Sequence, residues 1–173
     1  IEYLTPDQIL QFLQLQDERG QHYLYSLMLH FASPLLTKIL YRLPEVSQRY
    51  EVLSIRDECG RTVLHHSKEN WLLDSLKSQE LCFQLLSTQD SEGQSPLITF
   101  FRPLDLKSAL DSVTAEQRLT LINMRDKEGQ TAAEYHHKQI SEEQDEYWRG
   151  RAKDNLAVIE YYRREARIQI VIS

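Results

Sequence analysis

The sequence predicts an all-α fold: a helical repeat solenoid over residues 1–140, closed by C-terminal capping helices over residues 141–173. An Asp-x-x-Gly turn recurs at Asp17–Gly20, Asp57–Gly60, Asp90–Gly93 and Asp126–Gly129, at intervals of 40, 33 and 36 residues, and takes four of the five glycines. Ahead of every turn the same apolar offsets return: Leu13, Leu53, Leu86 and Ile122 four residues before the Asp, and Leu10, Tyr50, Phe83 and Leu119 seven before it. Those offsets lay one stripe along a helix. Two residues behind each Gly stand His22, Thr62, Ser95 and Thr131, three of them able to cap a second helix.

The elements follow in order. Thr5 with Gln8 reads as a capping box, Pro6 takes the first helical position, and Ile9, Leu10, Phe12 and Leu13 form the stripe. Helices are expected over 23–31 and from Ser33-Pro34 to Leu43, where Pro44 stops the second, and then from Ser47 to Leu53. The next unit predicts helices near 63–68, 71–76 and 80–87, and the third predicts 96–102, 103–112 and 114–123. Thr114 and Gln117 repeat the capping box, and Arg49 and Arg118 follow two of the equivalent glutamines. The fourth unit departs from the pattern after His137. Ser141-Glu142-Glu143-Gln144 reads as a further capping box, and Ala152, Leu156, Ile159, Tyr162 and Ala166 share one helical face. The apolar 168–173 reads as a strand-like tail or a cut end. Strand content elsewhere is expected to be close to nil.

Asp57-Glu58-Cys59-Gly60-Arg61-Thr62-Val63-Leu64-His65 resembles the signature of the ankyrin repeat. Asp90 to Leu97 keeps its Ser-Pro-Leu, Asp126 to Thr131 keeps the turn, and the first unit, with His22-Tyr23-Leu24-Tyr25, is the most worn. The resemblance implies an ankyrin-like array that binds another protein, His65 being a structural residue of the inter-repeat turn. It places the binding positions at Arg19, Glu58, Cys59, Glu92 and Lys127 on the tips, and at Tyr25, His66, Thr99 and Tyr135 along the first helices. The capped helix running almost straight into each Asp is similar to the elongated repeats of effectors from intracellular bacteria, which implies secretion into a host cytosol.

Composition narrows the alternatives. A formal charge of −6 argues against a general nucleic-acid surface, and no apolar run approaches the roughly 20 residues of a membrane span. Two cysteines make no disulfide framework, so a reducing cytoplasm is the expected setting. The start at Ile1, without a signal segment, reads as a piece of a longer protein.

Catalysis is not expected. His65-His66, His136-His137 and Cys59 invite a metal reading, yet neighbours on a helix point about 100° apart and share an ion poorly. No nucleophile elbow, zinc-protease motif, phosphate loop or Cys-x-x-Cys is present, so no cofactor is expected. Glu142, Glu143, Asp145 and Glu146, with Arg149, Arg151, Lys153, Arg163, Arg164 and Arg167, read as a solvated, locally paired cap; the alternatives are a charged docking patch or, for a bacterial effector, part of an acidic secretion signal. The leading expectation is therefore a protein-binding module, monomeric alone. The alternatives are a rigid targeting arm for an enzyme elsewhere in a longer chain, and self-association through the first repeat or the tail.

Overall fold

The computed structural model describes residues 3–18, 21–30, 34–66, 71–99 and 102–172; for residues 26, 28–30, 34–35, 71 and 168–172 the description is of the backbone alone. Among these residues the fold is all-α, with α1 (Pro6–Gln14), α2 (Tyr23–His30), α3 (Pro34–Arg42), α4 (Val46–Ser54), α5 (Val63–His66), α6 (Trp71–Asp74), α7 (Gln79–Leu86), a 3₁₀ turn (Pro96–Ile98), α8 (Pro103–Asp111), α9 (Ala115–Asn123), α10 (Ala132–Glu142) and α11 (Glu146–Ile172). Extended pairing among them is limited to two isolated bridges, Gln16 to His22 and Arg125 to Thr131.

The helix before each turn starts where its chemistry dictates. Gln8 N–H donates to Thr5 Oγ1 at 3.3 Å while Thr5 N–H donates back to Gln8 Oε1 at 2.9 Å. Thr114 and Gln117 repeat the pair at 3.1 and 3.2 Å. At α4 the reciprocal glutamine, Gln48, receives the Glu45 N–H, so the helix begins at Val46, one residue before Ser47. These helices stack in one row, α1 on α4, α4 on α7 and α7 on α9. Positions four and five residues before each Asp supply the seam, Leu13, Val52, Leu53, Leu85, Leu86, Leu121 and Ile122 being buried, whereas Phe12 and the residues seven before the Asp, Leu10, Tyr50, Phe83 and Leu119, are half-buried against it. A second row follows behind it, α5 against the 3₁₀ turn and the 3₁₀ turn against α10.

Arginines fasten the intervening helices. Arg49 donates to the carbonyls of Leu43, Pro44 and Ser75 at 2.7–2.8 Å. Arg118 does the same for Leu110 at 2.7 Å and Val113 at 3.4 Å, and Arg149 for Glu143. Each guanidinium thereby satisfies carbonyls that a helix C-terminus leaves open.

Three local expectations are corrected. The helix expected over 96–102 is a single 3₁₀ turn ending at Thr99. Pro103 disfavours the helical conformation at Arg102, which sits extended at φ −109°, ψ 132° and is the N-cap residue of α8 instead. Ser141 opens no helix: α10 runs to Glu142, the Ser141 hydroxyl donates to the Lys138 carbonyl, and Asp145 caps α11 through the N–H of Tyr147 at 2.8 Å. The expected strand-like tail continues α11, one helix of 27 residues up to Ile172. Ala152, Ile159 and Tyr162 of that helix are buried against the array, as their spacing predicted.

Candidate functional site

The turns form a ridge built from the Asp side chains. In each described turn Oδ1 accepts the N–H two residues on and the N–H four residues on: Cys59 and Arg61 at Asp57, Glu92 and Gln94 at Asp90, Glu128 and Gln130 at Asp126, all at 2.8–2.9 Å. Successive turns are then joined main chain to main chain. Ser91 N–H donates to the Cys59 carbonyl at 2.7 Å, and Lys127 N–H donates to the Glu92 carbonyl at 3.0 Å. Glu58, Cys59, Glu92 and Lys127 therefore stand exposed on a fixed backbone. Arg19 lies outside the described residues.

The positions expected along the first helices divide. Tyr25 does not face a partner: it is 2% exposed, and its hydroxyl lies 2.6 Å from the Ile55 carbonyl and 2.7 Å from the Arg61 carbonyl. It pins the first unit to the second turn, and burial pushes its phenol well above the usual range. His66 is solvent-facing but held, its Nε2 2.8 Å from Asp57 Oδ2 and its ring edge-on to Tyr25. Burial alone would raise Asp57, but the Arg61 N–H and His66 hold its carboxyl below the ordinary value. His65 has no free ring nitrogen: Nδ1 accepts the Thr62 N–H at 3.0 Å, which leaves Nε2–H to donate to the Gln94 carbonyl at 3.1 Å. Burial holds it neutral by lowering its pKa. It is a structural link between turns, as expected, and is not placed to act as a base.

Thr99 and Tyr135 come together. They line a cleft of ≈ 280 Å³ between the 3₁₀ turn, α10 and the first turns of α11, together with Gln94, Gln139, Trp148 and Arg151. Thr99 Oγ1 donates to the Pro96 carbonyl at 2.8 Å, and the Tyr135 hydroxyl accepts from Gln139 Nε2 at 3.0 Å. Trp148 is 41% exposed and meets Tyr147 edge-on. Beneath the cleft His136 is buried, neither ring nitrogen has a hydrogen bond of ordinary geometry, and the Leu97 carbonyl makes only a loose approach; burial drives its pKa down to about 4. Trp148 and Arg151 lie outside the repeat pattern, and the charged run that contains Arg151 reads from sequence as a solvated face. Their spacing with Ala152 and Asn155, i, i+3, i+4 and i+7, is the signal that puts them on one face.

A larger groove of ≈ 500 Å³ between α3, α4 and α6 is floored by Arg49, whose guanidinium is already committed to three carbonyls. Among the described residues no group of three His, Cys, Asp or Glu side chains is placed to hold a metal ion, and no helix is long and apolar enough to cross a membrane. No family model matches this chain, and no curated protein or solved structure matches it.

Proposed function

We propose that the chain is an ankyrin-like protein-binding array, an interaction module without chemistry of its own that serves within a larger protein. The observation that carries this reading is the turn-to-turn bonding of the ridge, in which the Cys59 and Glu92 carbonyls hold the next turn while their side chains stay exposed. A surface whose backbone is fixed before binding loses little entropy on association, and this favours a protein partner recognised by side-chain pattern. The tips carry both signs of charge, Glu58 and Glu92 against Lys127, which suits a mixed polar surface better than a polyanion. The likeness to elongated effector repeats makes a host protein the partner class.

The test is retention of proteins from a host-cell lysate by the wild-type chain and by a Glu58→Lys, Glu92→Lys, Lys127→Glu variant of equal helicity. A protein held by the first and released by the second is the expected result. Equal retention by both moves binding off the ridge and favours a scaffold role.

A further inference from the structure

The cleft beside α11 differs from the rest of the surface in charge. In a chain with 26 acidic residues, not one Asp or Glu lines it, and its one cation is Arg151. That guanidinium reaches the Tyr147 hydroxyl at 3.0 Å and lies 5.2 Å from the centre of the Tyr147 ring. Among the described residues no carboxylate pairs with it; Arg49, Arg56 and Arg149 likewise pair with none but are bonded to main-chain carbonyls, and none of these three lines the cleft. A guanidinium held through one N–H at a tyrosine hydroxyl keeps its remaining N–H groups in a planar fork, the arrangement that binds carboxylates with two parallel bonds. Beside it stand the Gln139 amide, the Thr99 hydroxyl and the indole of Trp148.

We infer that this cleft captures a Glu or Asp side chain of a partner peptide, Arg151 receiving the carboxylate while Trp148 packs on the adjoining peptide chain. The inference rests on the protein-binding reading and adds the chemistry of what is bound. The volume suits one side chain with part of its backbone, since it lies just below the roughly 300 Å³ at which pockets begin to enclose whole small molecules. Arg and Trp are also the residues on which interface energy concentrates.

Phage-displayed random peptides selected on the wild-type protein test it, the recovered sequences being remade with a fluorophore and titrated by anisotropy. The expected result is a fixed acidic position in the peptides. Affinity should fall by about tenfold or more for Arg151→Gln and for a peptide with Gln at that position, and recover in part for Arg151→Lys. Lys38→Ala, at an exposed position of α3 outside both the ridge and the cleft, should bind these peptides as the wild type does; the ridge variant Glu58→Lys, Glu92→Lys, Lys127→Glu is titrated alongside. Peptides without an acidic position, equal binding by Arg151→Gln, or no peptide above background would each overturn the inference. So would N-acetylglutamate amide binding as tightly as the peptides, which would make the site one for small carboxylates. Peptides lost by the ridge variant but kept by Arg151→Gln would overturn the cleft while leaving the protein-binding reading in place.

Discussion

At the scale of single residues, the three described glycines of the turns are chemically alike and energetically unlike. All have positive φ, 73°, 77° and 79°. A Cβ on Gly93 would meet Lys127 N at 2.8 Å, one on Gly60 would meet Ser91 N at 3.3 Å, and one on Gly129 would meet nothing within 4 Å. Gly93→Ala is therefore expected to cost the left-handed strain of about 1 kcal/mol and, in addition, the ladder bond from Lys127, whereas Gly129→Ala costs the strain alone. Urea unfolding of the two variants checks this; equal midpoints would show that the contact between turns contributes nothing. The sequence displayed the four turns but not this ranking, because a glycine's neighbour is set by which turn stacks on it. Tyr25 fails for the same reason. Its position after the Asp gives a helix face, and only the stacked second turn decides that the face is covered.

At the scale of elements, the helices before the turns were legible because burial, capping and the turn repeat at matching offsets. Arg49 and Arg118 were visible as a recurrence without a cause; the cause is a set of open carbonyls on a neighbouring helix, which periodicity does not encode. The helix expected over 96–102 passes over a local rule, the bias of Pro103 against a helical Arg102, whereas the Ser141 capping motif is a local rule overruled by the continuation of α10 to Glu142. The junction of α10 with α11 has its own pH dependence. Burial lowers His136 from 6.5 to about 4, so the folded state binds fewer protons than the unfolded state between those values. Stability is then complete above pH 6.5 and falls as pH drops toward 4, by on the order of 3 kcal/mol. His136→Met, apolar and similar in length, should flatten that limb of the curve of thermal midpoint against pH. An unchanged limb would place the acid sensitivity elsewhere.

At the scale of the whole molecule, the two ends are built differently. The described packing of α1 is mainly against α2 and α4, whereas α11 lies along α10 and also crosses α8 and α9. The Tyr162 hydroxyl donates to Asp111 of α8, burial and that bond push its phenol up to about 12, and the Arg118 guanidinium lies 4.4 Å above the centre of its ring. Amide exchange should accordingly be slowest in α9, α10 and the middle of α11 and fastest in α1 and α2, since opening energies follow buried packing. Uniform protection from end to end would show one cooperative block instead. At 27 residues α11 is about 40 Å long, some three times the nine-residue helices it crosses. A splint of that length gives the molecule a mechanical polarity: tension on the chain peels the early units one after another, while the splinted end holds as the grip.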